Sequence, residues 1–104
     1  MTKYKAKKTI VDGITFDSMK ESKRYVQLKE LEKSGKITDL QLQVKYILFD
    51  KSKYGRKLSY IADFVYLNDK NEEVIEDVKG FKTPVYRLKK RVFEEKYHKV
   101  INEI

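Results

Sequence analysis

The chain has 104 residues, no cysteine, 24 basic against 16 acidic side chains and a formal net charge of +8. That length holds one domain around a single core. The missing cysteines exclude disulfides, thiolate metal sites and cysteine nucleophiles, and no stretch is apolar for long enough to span a bilayer.

Lys3, Lys5, Lys7 and Lys8 make residues 1–8 a basic arm, expected to be loosely ordered. The opening Met1-Thr2-Lys3-Tyr4-Lys5 has no apolar run behind its charges, so a signal peptide is not expected and the cytoplasm is the default location. Next, Thr9-Ile10-Val11 and Ile14-Thr15-Phe16 flank Asp12-Gly13, a pair that tolerates the positive φ of a tight turn, which predicts a β-hairpin. Asp17 and Ser18 offer N-caps for a helix running to about Ser34, with Gly35 ending it. Tyr25, Leu28 and Leu31 form its apolar stripe, and Glu21 extends that stripe toward the N-terminus.

Leu40, Leu42, Val44, Tyr46 and Leu48 alternate with more polar neighbours, which predicts a strand ending at Phe49. Asp50 to Arg56, with Gly55, reads as an exposed basic loop. Leu58 to Leu67 is the next strand, Asn68-Asp69-Lys70-Asn71 a turn, and Val74 to Lys79 a further strand ended by Gly80. The short gap makes those two strands an antiparallel hairpin. Thr83 caps a second helix with Pro84 at its first position, where a missing N–H costs nothing. Val85, Leu88, Val92, the stem of Lys96 and Val100 are its expected inner stripe, and Arg87, Lys90 and Arg91 its basic outer face. The order of hairpin, helix, three strands and helix, without repeats or low-complexity segments, predicts one α/β domain over residues 1–104.

The chemistry concentrates in Ile75-Glu76-Asp77-Val78-Lys79-Gly80. Residues two apart in a strand share a face, so Asp77 and Lys79 project together. Asp63 lies inside Tyr60-Ile61-Ala62-Asp63-Phe64-Val65-Tyr66, an unusual place for a carboxylate. Burying it unpaired costs several kcal/mol or more, so a partner is required, either a bound cation or a lysine. The two strands are expected neighbours, which lets Asp63 and Asp77 converge beside Lys79. Carboxylates that close repel each other and share a proton unless a divalent ion lies between them. Magnesium suits such a site, because it takes few carboxylates and fills its remaining positions with water and phosphate oxygens. Lys79 then orients the attacking water or holds the phosphate.

Four further positions carry two readings each. Ser18-Met19-Lys20-Glu21 is a capping-box pattern, yet Glu21 aligns with Tyr25 and Leu28 and so faces inward. Glu76 faces away from Asp77, where a salt bridge to a helix lysine or support of the site is expected. Gln43 either lines the site or is a surface glutamine. His98, the only histidine, is either a solvent-exposed residue near the chain end, as unpaired terminal histidines usually are, or a catalytic group. The basic helix is a solvated face in the plain reading, whereas its N-terminus at Thr83-Pro84, with Lys82, Arg87 and Lys90, offers phosphate contacts in the other.

With those residues in view, the chain resembles the PD-(D/E)XK nuclease superfamily. Asp63 matches its lone acidic residue, Asp77-Val78-Lys79 its acid-x-Lys element, and Glu21 the first-helix glutamate that some branches carry. Phe16-Asp17-Ser18 with Glu21 and Tyr25, then Asp39-Leu40 with Gln43, is similar to an uncharacterised phage-borne family of small nucleases related in pattern to Holliday-junction resolvases. The resemblance runs from about Tyr4 to Tyr97 and departs from the pattern at Ala62, where proline is usual. It implies a restriction-endonuclease-like core, a mixed sheet flanked by two helices. It also implies a Mg2+- or Mn2+-dependent DNA endonuclease in which Asp63, Asp77, Glu21 and the Val78 carbonyl hold the ion and Lys79 assists the water. Gln43 and Glu76 would support these ligands. Lys5, Lys7, Lys8, Lys82, Arg87, Lys90 and Arg91 would meet DNA, branched forms included. A phage or prophage origin, action in the bacterial cytoplasm and a homodimer with two symmetric sites complete the expectation. The competing expectation is a non-catalytic basic nucleic-acid-binding module, for which charge and tyrosines suffice and in which Asp63 and Asp77 are ion-pair partners of Lys79.

Overall fold

The computed structural model describes residues 8–50, 55, 57–79 and 82–104. Lys5 and Lys7, most of the basic loop and Gly80 lie outside the described residues. The chain folds as β1 (Thr9–Val11), β2 (Ile14–Phe16), α1 (Met19–Lys33), β3 (Thr38–Phe49), β4 (Leu58–Leu67), β5 (Glu73–Asp77), α2 (Pro84–Tyr97) and β6 (Ile101–Glu103). β1 and β2 form a separate antiparallel hairpin, and the other strands a mixed sheet in the order β3-β4-β5-β6, in which only β6 runs parallel to its neighbour. The fold is therefore a single α/β domain with a mixed sheet and two helices, as expected. No helix among the described residues is long and apolar enough to cross a membrane.

Local chemistry explains the boundaries. Asp12 and Gly13 take φ of 52° and 76°, the positive pair that a tight hairpin turn needs. Ser18 Oγ accepts from the Glu21 amide at 3.1 Å and starts α1. Gly35 ends it at φ 79°, with Lys36 N donating back to Leu31 O at 3.0 Å. Thr83 Oγ1 accepts from Tyr86 N at 3.0 Å, and Pro84 follows as the first residue of α2.

Two buried clusters sandwich the sheet. Phe16, Tyr25, Leu28, Phe64 and Tyr66 pack with α1 on one face, while Leu48, Tyr60, Ala62, Val65, Ile75, Tyr86 and Phe93 pack with α2 on the other. Side chains alternate along a regular strand, yet Leu40 and Leu42 join the α1 cluster and Val44 and Tyr46 the α2 cluster. β4 switches in the same way between Ala62 and Phe64. Both strands turn over at the row of Gln43 and Asp63, and Gln43, at φ 54°, supplies the turn on β3. A non-glycine residue held in that region costs on the order of 1–3 kcal/mol, and such residues gather at functional sites.

Two sequence expectations are corrected here. The inner face of α2 is Tyr86, Phe93 and Tyr97, with Val92 at its edge, and not the aliphatic stripe: Val85 and Leu88 are 63% and 61% exposed. The rings prevail because they bury more area and pack edge-on, Tyr46 lying 4.9 Å from Phe93 and 5.4 Å from Tyr97. α2 also stops at Tyr97, since His98 takes a left-handed conformation at φ 55°. Val100 therefore lies beyond the helix, and Ile101–Glu103 add β6, a strand the sequence reading left out.

Candidate active site

The turnover point of β3 and β4 places a row of polar side chains across the sheet. Leu42 pairs with Phe64 and Val44 with Ala62, which sets Gln43 opposite Asp63. Phe64 pairs with Glu76, which sets Asp63 beside Asp77, and Asp77 pairs in turn with Glu103. Asp63 is half-buried and Asp77 fully buried at 0% exposure.

Each aspartate has one oxygen firmly held. Val78 N donates to Asp63 Oδ2 at 2.8 Å, and the Tyr60 hydroxyl donates to Asp77 Oδ2 at 2.8 Å. Asp77 Oδ1 has no hydrogen bond, alone among the buried side-chain N and O atoms of the described residues. Its nearest cation is Lys79 Nζ at 3.4 Å, on a side chain that is 32% exposed. Burial, reinforced by the neighbouring Asp63 carboxylate, pushes Asp77 up to about 7. Burial, reinforced by the Asp77 charge and the hydrogen bond to it, drives the Tyr60 phenol far upward and keeps it a donor.

Glu21 shows half of the capping-box pattern, the bond to Ser18 Oγ, and a carboxylate directed elsewhere. Its amide takes the Ser18 cap, while its buried carboxylate turns toward the site, where Gln43 Nε2 donates to Glu21 Oε2 at 3.2 Å and to Asp63 Oδ1 at 3.3 Å. Burial, and after it the Asp63 charge, raises Glu21 to about 7. Gln43, exposed on the strand surface, thus bridges two carboxylates. Lys79 lies just past the end of β5, with Nζ 4.9 Å above the Tyr86 ring. A recess of about 330 Å³ opens beside it, lined by Tyr60, Ile61, Lys79, Thr83, Val85 and Lys89 among others.

Glu76 is buried but stands apart from this group. Arg24 of α1 grips it with two hydrogen bonds, at 2.8 and 2.6 Å, and the Tyr66 hydroxyl donates to the same carboxylate. The expected ion pair exists with an arginine in place of a lysine, and among the described residues no hydrogen bond joins the Glu76 carboxylate to Asp63 or Asp77.

The basic residues divide. Lys82 and Lys90 lie 3.1 and 3.5 Å from Glu103, which also accepts from the Tyr86 hydroxyl at 2.8 Å. Arg87, Arg91 and Lys8 are exposed, and Arg87 and Arg91 line the same shallow recess as Lys82 and Lys90. His98 is exposed and caps the C-terminal end of α2. Tyr60, Arg24 and Glu103 were not singled out from the sequence. Strand alternation sets Tyr60 and Asp63 on opposite faces, and only the turnover of β4 joins them to one carboxylate.

Among the described residues, no three His, Cys, Asp or Glu side chains gather closely enough to hold a metal by themselves. Two facing carboxylates, one with an unmatched buried oxygen, nevertheless fit a divalent ion that takes its other ligands from backbone, water and substrate. A family model described as a protein of unknown function (DUF1064) matches residues 1–103. No curated protein and no solved structure matches the chain.

Proposed function

We propose that this chain, which belongs to the DUF1064 family, is a magnesium- or manganese-dependent DNA endonuclease with a site of the PD-(D/E)XK kind. The observation that carries the reading is Asp77 Oδ1, buried without a hydrogen bond while a second carboxylate faces it. An unmatched buried acceptor costs about 1–3 kcal/mol, and more when charged. Repulsion between the two carboxylates adds to that cost. A divalent cation relieves both, whereas Lys79, 3.4 Å away and open to solvent, relieves them only in part.

In this reading Asp63 and Asp77 hold the ion, with Glu21 and the Val78 carbonyl as further donors. When bound, the ion supplies a water of lowered pKa and stabilises charge on the phosphoryl oxygens. The chain's own residues do the rest. Lys79, steered between Asp77 and the Tyr86 ring, orients the attacking water or holds the scissile phosphate as a point charge. Gln43 keeps Glu21 and Asp63 at a fixed spacing. Arg87, Arg91 and Lys8 meet the flanking phosphates, joined by Lys82 and Lys90 where DNA displaces Glu103, and by Lys5 and Lys7. The substrate is DNA, branched forms included, cut by a homodimer in the cytoplasm.

The test is a plasmid-nicking assay with Mg2+, repeated with EDTA and with Asp77→Asn. Cleavage that both changes abolish, with DNA binding retained, supports the enzyme. DNA binding without metal-dependent cleavage in the unmodified chain replaces it with the binding module, which the existing Asp77–Lys79 pair favours.

A further inference from the structure

We infer that Tyr60 is a positioning residue that fixes Asp77 as a one-oxygen donor to a divalent cation; the inference rests on the metal-dependent reading above. The terminal torsion of an aspartate is broad and two-fold, so nothing intrinsic tells its two oxygens apart. Here they differ completely. Oδ2 accepts from the Tyr60 hydroxyl at 2.8 Å, whereas Oδ1 is buried without a hydrogen bond and has only the Lys79 ammonium, 3.4 Å away, beside it.

Tyr60 is built to make that distinction. It is 3% exposed, and its ring lies 5.2 Å from Phe93 and stacks at 6.4 Å on Tyr46, so the phenol cannot follow a rotating carboxylate. Its donor is aimed by packing against α2, on an element other than the one that carries Asp77. A carboxylate held this way offers one oxygen to a cation and leaves more of the coordination sphere to water and substrate. Without the hydroxyl, Asp77 is free to rotate and turn both oxygens to the ion. Groups that hydrogen-bond a metal's ligands typically carry 10–100-fold in affinity.

A matched comparison is available inside the molecule. Tyr66 is also buried, at 7% exposure, and also donates to a buried carboxylate, that of Glu76 on the other face. Mn2+ binding to the full chain is measured by calorimetry and electron paramagnetic resonance for the unmodified protein, Tyr60→Phe and Tyr66→Phe, with thermal melting to confirm each fold. Tyr60→Phe is expected to weaken Mn2+ about 10–100-fold and to change the spectrum at saturation, a readout of the bound state whatever the affinity. Tyr66→Phe is expected to leave both unchanged. Mn2+ bound by Tyr60→Phe with unaltered affinity and spectrum overturns the role of Tyr60 and leaves the metal reading standing. Absence of Mn2+ binding by the unmodified chain overturns both.

Discussion

Glu76 and Asp77 are chain neighbours, both buried, at 2% and 0% exposure, and their surroundings are opposite. Glu76, on the α1 face, is saturated by Arg24 and Tyr66. Asp77, on the α2 face, has one oxygen paired with Tyr60 and the other with nothing but a loose lysine. The first is a structural ion pair, complete as folded. The second is less fully matched: its Oδ1 makes no hydrogen bond, and the nearest ammonium stands 3.4 Å away. Burial of an acid is thus no sign of function by itself; what matters is whether the protein has already supplied its counter-charge.

Substitutions separate the two. Asp77→Asn is expected to bring metal-dependent cleavage to background in a nicking assay while raising the melting temperature of the metal-free protein at pH 8, because it removes a charge without a match. Arg24→Met is expected to do the reverse, leaving Mn2+ affinity unchanged and destabilising the fold by about 3 kcal/mol in denaturant titrations, since it strands Glu76. Equal effects of both on metal binding would erase the distinction.

The pH response sharpens the comparison further. Glu21 and Asp77 titrate near 7 in the fold, raised from ordinary values of 4.5 and 3.8. Groups whose folded pKa is raised stabilise most below their unfolded values and lose that contribution as pH climbs through the folded value. The metal-free chain is therefore expected to lose several kcal/mol between pH 4 and pH 8, on the order of 3 from each group, and Mg2+ to restore stability at the alkaline end only. In Asp77→Asn about half of that slope disappears, because the contribution of Glu21 remains. The smallest effect concerns the basic face. Arg91→Ala should lower the log–log salt dependence of DNA binding by about 1, whereas Lys82→Ala, whose charge Glu103 already offsets, should lower it by less.

Much of this was legible in the residues. Asp12-Gly13, Ser18, Gly35, Thr83 and Pro84 each dictate a turn or cap, and each does so where expected. Asp63, Asp77 and Lys79 stood out because charge interrupts apolar strands, and the structure brings them together. The inward face of α2 was not legible: Val85-Leu88-Val92 has the spacing of a buried stripe, and only the aromatic surface of β3 and β4 selects Tyr86 and Phe93 instead. Nor was Tyr60, since strand alternation assigns it the wrong face until the backbone of Gln43 turns the sheet over. Ile101–Glu103 is too short to announce itself and exists as a strand because β5 offers it an edge.

The central claim is that Asp63 and Asp77 are held together to share a divalent cation. Anomalous diffraction from crystals soaked in Mn2+ tests it most directly. The account predicts one manganese peak between the two carboxylates, in contact with Asp77 Oδ1. A lysine ammonium in that place, with no peak and the carboxylates turned apart, would contradict it.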